Sequence, residues 1–144
     1  PIEAYAAYGF RLIDPTIRVE DFVKRRGLAE IGRFAVLPHR RGQIMVAAAL
    51  MRAATIEGLE RGTTHLLTDV FEDDPHSPYG FHTRVLGFRP IATHDIGELN
   101  SKSRRITPLL DLSACYKQLR ARNHWFYRFW STGLPERLHE RLAA

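Results

Sequence analysis

The sequence predicts an α/β domain: a mixed sheet around a central β-α-β unit, followed by carboxy-terminal helices. Three observations carry this. Residues 29 to 37, A-E-I-G-R-F-A-V-L, form a nearly continuous apolar run that Pro38 stops, the pattern of a central strand buried on both faces. Ala47, Leu50, Met51, Ala54 and Gly58 recur at spacings of three and four within residues 42 to 61, the period of a helix with one inward face. Residues 64 to 71, T-H-L-L-T-D-V-F, supply the next strand, so the two strands should be parallel and joined by a right-handed crossover.

The chain has 144 residues, 44% hydrophobic and 26% charged, enough for one domain over residues 1 to 144 with its own core. A single cysteine, Cys115, excludes an intramolecular disulfide and suits a reducing compartment such as the cytoplasm. No stretch reaches the roughly 20 apolar residues of a spanning helix, and no secretory signal opens the chain, so a soluble protein is expected. The first residue is Pro1, so either an initiator methionine has been removed or the chain is part of a longer one. Lys and Arg number 21 against 16 Asp and Glu, a net charge of +5, which favours an acidic partner.

Taken in order, residues 2 to 10 have helix-compatible apolar spacing broken by Gly9, and residues 18 to 26 read as a second short helix capped by Gly27 or as a surface connector. In a regular strand over 29 to 37, Glu30 and Arg33 point to opposite faces. They can share a site only if the strand bulges near Gly32, the residue type that makes a bulge inexpensive. The alternative reading of the pair is an ion pair that fixes register. Arg40, Arg41 and Gly42 precede the helix, where dipole and guanidinium charge together favour an anion; a solvated basic turn is the plainer reading.

The loop E-D-D-P-H-S-P-Y-G places His76 and Tyr79 just past the end of a parallel strand, where open α/β sheets usually bind ligands. Both residues also suit ordinary loop and packing roles. Residues 79 to 86 suit a short helix capped by Gly87, and strands follow near 88 to 96 and 104 to 112. Their prolines, Pro90 and Pro108, call for an edge position or a distortion, and the two strands should pair antiparallel. From Ser113 onward the chain is a helical extension dense in aromatics and arginines, broken at Gly133-Leu134-Pro135. Its aromatics should pack inward while arginines cover the outside; binding to nucleic acid or a membrane interface through Arg120 to Trp130 is the other reading.

The sequence has no H-x-x-x-H or C-x-x-C spacing, no G-x-S-x-G elbow, no Walker loop and no G-x-G-x-x-G. A metal site, a hydrolase triad and nucleotide hydrolysis are therefore not expected.

The segment E-I-G-R-F-A-V-L-P, followed by R-R-G and a long helix, resembles the fourth strand and phosphate-binding turn of the GNAT acyltransferase superfamily. More narrowly, E-x-x-R-F-x-V is similar to the E-x-S-R-F-x-V segment of acyl-homoserine-lactone autoinducer synthases and long-chain N-acyl amino acid synthases. Y-G-F-H-T-R-V-L-G-F resembles the F-Y-x-x-x-G-F ending of the acceptor-side helix. The match covers roughly residues 29 to 90.

The resemblance implies transfer of a long-chain fatty acyl group from acyl carrier protein, or acyl-CoA, to the amine of an amino acid. Glu30 and Arg33 would be catalytic, and Phe34, Val36, Arg40, Arg41 and Gly42 would bind the acyl donor, the backbone near Phe34 to Val36 serving the oxyanion. His76 and Tyr79 would line the acceptor side. Acyl-phosphopantetheine would be a cosubstrate, with no tightly bound cofactor and no metal. Acyl carrier protein is the expected partner, with a membrane surface as another; no nucleic-acid partner is expected. The location would be cytoplasmic or peripheral at the inner membrane.

Departures from the family pattern qualify this. Later glycine places of the phosphate turn are taken by Ile44 and Val46, which favours one pantetheine phosphate over a CoA pyrophosphate. The autoinducer-type serine is Gly32, which favours amino acid synthesis over lactone synthesis. The amino-terminal strands of the family are missing or reduced. The alternatives are a lactone synthase, a conventional acetyl-CoA-dependent N-acetyltransferase, and a non-catalytic basic module for membrane or nucleic acid.

Overall fold

A computed structural model describes residues 11–18, 27–32, 35–75, 77–94 and 104–144. Among these residues six strands form one mixed sheet: β1 (Arg11–Leu12), β2 (Leu28–Ile31), β3 (His65–Thr68), β4 (Val70–Phe71), β5 (Arg89–His94) and β6 (Arg105–Asp111). Five α-helices accompany them: α1 (Ile44–Glu60), α2 (Tyr79–Phe81), α3 (Leu112–Ala121), α4 (Trp125–Ser131) and α5 (Glu136–Ala143). The strand order is β1-β5-β6-β3-β2, with β4 also on β6. Only β2 and β3 are parallel. The expected β-α-β unit is therefore present as β2-α1-β3.

The apolar run at 29 to 37 behaves differently from its expectation. β2 covers only Leu28–Ile31, is partly buried, and ends the order of the described strands, so among the described residues it stands at the outside of the sheet and is not buried on both faces. Residues 35–37 carry no strand, and Leu37 is 66% exposed. Apolar composition continues past Ile31, but pairing to β3 stops at Thr68; composition cannot locate the end of a ladder that depends on a partner. The ladder is regular to its end, so no bulge lies within it. Arg33, beyond Gly32, lies outside the described residues, as do the helices expected over 2 to 10 and 19 to 26.

The sequence carries no strand signal ahead of Ala29, yet Arg11 and Leu12 pair antiparallel with Thr93 and Ala92. Two residues are too few for a period to reveal. Gly27 opens β2 by close approach: its carbonyl accepts from the N–H groups of Thr64 and His65 at 2.7 and 3.0 Å. A Cβ at this position would lie 2.4 Å from Thr64 Oγ1.

β3 and β4 continue one register along β6, from His65 opposite Asp111 to Phe71 opposite Arg105. The strand expected over 64 to 71 is thus a single line interrupted at Asp69. β5 and β6 pair antiparallel, as expected. Pro90 faces Pro108, and the register slips between Pro90 and Ala92; the two residues without an N–H fall together at the distortion. β6 itself lies inside the sheet, so its proline marks a distortion and not an edge.

Nearly all the helical packing is on one face. Leu66 and Leu110 meet Ala48, Met51 and Leu59 of α1 and Tyr116, Phe126, Trp130, Leu138 and Leu142 of α3 to α5. The helix α1 presents Ala48, Met51, Thr55, Gly58 and Leu59 inward, while Leu50, expected inside, is 40% exposed. A segment apolar almost all round fixes the helical period but leaves its rotation to packing. Arg141 reaches the carbonyls of Leu59 and Thr63 at 2.5 and 3.3 Å, and Arg137 forms a two-bond clamp on Glu60 at 2.7 and 2.6 Å. These contacts tie α5 to the end of α1.

The aromatic extension is two helices, not one. Asn123 turns through φ 47°, and His124 Nδ1 accepts from the Phe126 N–H at 3.2 Å as the cap of α4. Most of its aromatics pack inward, with Tyr116, Phe126 and Trp130 buried, while Trp125 stays 39% exposed. The short helix over 79 to 86 is also present, passing from α2 into a π-helical stretch, His82–Leu86, and closing at Gly87 with φ 79°.

Candidate functional site

Beyond β2 the chain runs through residues 35–37 into a 3-10 turn, Pro38–Arg40, and then into α1. Gly42 at φ 80° makes the reversal that admits the helix, a conformation inexpensive only for glycine. Gln43 occupies the cap position without a side-chain hydrogen bond, and no acidic residue stands in the first turn. Arg40 and Arg41 are exposed beside it. The start of α1 therefore combines helix-dipole and guanidinium charge. Arg41 Nε donates to the Val36 carbonyl at 3.4 Å, which folds this side chain over the loop and brings two of the expected donor-site residues together.

Glu30 is exposed and stands opposite Leu67 in the parallel ladder. Side chains alternate along a strand, so Ala29 and Ile31 face the helices, while Glu30 shares the second face with Leu67 and, two residues on, Asp69. That second face carries Leu67, Ala92, Leu28, Leu109 and Ile17 as a small apolar cluster. At the end of this cluster stands a polar group that the sequence did not point out.

The Asp69 carboxylate accepts from His94 Nε2 at 2.8 Å, from Thr107 Oγ1 at 2.9 Å and from Arg105 Nη1 at 3.5 Å. His94 and Thr107 are fully buried, and Arg105 is nearly so. The Arg105 guanidinium also lies 5.0 Å from the Phe71 ring centroid, and the neighbouring Arg104 pairs with Glu72. An aspartate inside an apolar strand was the available signal, because a buried carboxylate needs donors. Its partners come from β5 and β6, so only the register of the folded sheet brings them together.

Tyr79 is half-buried at the start of α2, its N–H donating to Ser77 Oγ at 3.2 Å and its carbonyl accepting from Thr83 Oγ1 at 2.8 Å. Arg33, Phe34 and His76 lie outside the described residues. Cys115 is buried and donates to the Leu86 carbonyl at 2.9 Å; burial pushes its thiol up to about 12, so it is not a nucleophile near neutral pH. Among the described residues no group of three or more His, Cys, Asp or Glu gathers in a way that could hold a metal ion, and no helix is long and apolar enough to cross a membrane.

Comparison with protein-family models, curated proteins and solved structures found no match to this chain.

Proposed function

We propose that the chain is an N-acyltransferase that moves a long-chain fatty acyl group from a phosphopantetheine thioester to the amino group of an amino acid. The reading rests on the motif resemblance and on one structural observation. An exposed carboxylate, Glu30, stands on the last described parallel strand, and the connection that follows leads into the uncapped, arginine-flanked start of α1.

In this reaction the amine attacks the thioester carbonyl carbon, a C–N bond forms, the C–S bond breaks, and the thiolate leaves with a proton. Glu30 takes the proton from the acceptor ammonium, directly or through water. Arg40, Arg41 and the backbone at Gly42 hold the pantetheine phosphate. Leu37, Ile44 and Met45 are exposed around these arginines. A surface both basic and apolar suits an acidic carrier protein that delivers a fatty chain.

The experiment is mass spectrometry of lipids from a host expressing the full-length protein. Wild type should yield N-acyl amino acids, and Glu30→Gln should lower them by at least about a hundredfold. Unchanged product in Glu30→Gln, or none from wild type, overturns the reading.

A further inference from the structure

An open surface depression of about 320 Å³ lies between α3, α4 and α5, lined by Tyr116, Arg120, Tyr127, Glu136, His139, Glu140 and Ala143. This is near the lower end of small-molecule sites, roughly 300 to 1,000 Å³. Its lining follows from helical spacing. Tyr116 and Arg120 are four apart on α3, and Glu136, His139, Glu140 and Ala143 fall at i, i+3, i+4 and i+7 on α5, one face of one helix. The opposite face of α5 buries Leu138 and Leu142.

The floor is already fixed. Tyr116 Oη lies 2.6 Å from His139 Nδ1 and 3.5 Å from Tyr127 Oη, and the two tyrosine rings meet edge to face at 5.2 Å. Burial, then the contact with Tyr127, pushes the Tyr116 hydroxyl up to about 12. Tyr116 thus keeps its proton and shares a hydrogen bond with His139 Nδ1.

The charged rim is different. Among the described residues the side chains of Arg120, Glu136 and Glu140 make no ion pair or hydrogen bond with one another or with anything else. One guanidinium and two carboxylates, all three exposed to water, therefore line one open depression without pairing to one another.

We propose that this depression binds a zwitterionic α-amino acid. Its ammonium sits between Glu136 and Glu140, its carboxylate meets Arg120, and an apolar side chain lies against the rings of Tyr116 and Tyr127. Carboxylates four apart on a helix are spaced for a three-donor ammonium to bridge, and a guanidinium takes a carboxylate through two parallel bonds. A simple anion would meet two carboxylates, and a simple cation would leave Arg120 uncompensated. The site lies in the helical layer, with the sheet between it and Glu30, so it does not depend on the acyltransferase reading.

The test is calorimetric titration of the intact protein with L-phenylalanine, its methyl ester and N-acetylphenylalanine. The free amino acid should bind at least about tenfold more tightly than either blocked form, a difference of about 1.4 kcal/mol. Glu140→Gln and Arg120→Gln, both at exposed positions, should each weaken it about tenfold, while Glu30→Gln should leave it unchanged. Absence of binding up to about 10 mM, equal binding of a blocked form, indifference to Arg120→Gln or Glu140→Gln, or loss of binding in Glu30→Gln overturns the proposal.

Discussion

Replacing Asp69 by asparagine keeps the shape of the side chain and removes its charge. In the folded chain this carboxylate holds three donors from two other strands: His94 on β5, and Thr107 and Arg105 on β6. An amide offers one acceptor oxygen and turns its own N–H donors toward the others, so at least one buried donor loses its partner. The Arg105 pair is long at 3.5 Å and only part-buried, and that side chain keeps its place on Phe71, so the cost is set by the hydrogen bonds from buried His94 and Thr107, about 2 kcal/mol. Thr107→Val removes one neutral donor and should cost about 1 kcal/mol.

Urea unfolding of Asp69→Asn, Arg105→Met and the double variant measures this directly. The expected coupling between the two sites is at least about 1 kcal/mol. Strictly additive losses, or a cost for Asp69→Asn below about 1 kcal/mol, would show that the cluster does not act as one unit.

Two further outcomes are expected. Burial holds the His82 imidazole down at about 4, against an ordinary 6.5; the unfolded chain then takes up a proton that the folded chain refuses, so this group's contribution to stability falls as pH drops from about 6.5 to about 4, by at most about 3 kcal/mol. Urea midpoints at successive pH values should show this slope, and His82→Gln should remove it; an unaltered slope refutes the assignment. Gly27→Ala places a methyl group 2.4 Å from Thr64 Oγ1 and 3.3 Å from Thr64 Cβ, a clash expected to cost about 1 to 3 kcal/mol. Thr64→Ala in the same chain should return part of that loss, and a neutral Gly27→Ala would show that β2 and β3 can separate there without cost.

Much of the architecture was legible because it depends on local pattern. The period of α1, the strands of the β-α-β unit, the αL stop at Gly87 and the two prolines of the β5-β6 pair are each written within a few residues. What the sequence hid was pairing. The run 29 to 37 is apolar apart from Glu30, Gly32 and Arg33, but a strand lasts only while a neighbour does, and β3 offers partners to β2 only as far as Thr68. Among the described residues β1 is two residues long and is defined by Thr93 and Ala92 across from it. Of the candidate site, the glycine turn and exposed arginines before α1 stand where the spacing put them. The Asp69 cluster was invisible because its four members are drawn from positions 69, 94, 105 and 107, and nothing short of the sheet register relates them.

The same register separates two carboxylates by what each can do. Asp69 and Glu30 share a face of the sheet, two residues apart in the aligned ladders. The oxygens of Asp69 are engaged by a buried imidazole, a buried hydroxyl and a guanidinium, so drawing a proton from a substrate there would first require breaking bonds that join β3, β5 and β6. Glu30 is exposed on the outermost of the described strands, and the proposed reaction assigns the proton transfer to it. Substitution should divide accordingly: Asp69→Asn lowers stability before any change in turnover per folded molecule, whereas Glu30→Gln, at an exposed position, lowers product while leaving the urea midpoint within about 0.5 kcal/mol of wild type. A Glu30→Gln protein that unfolded as readily as Asp69→Asn would place Glu30 among the structural groups and take the proton transfer away from it.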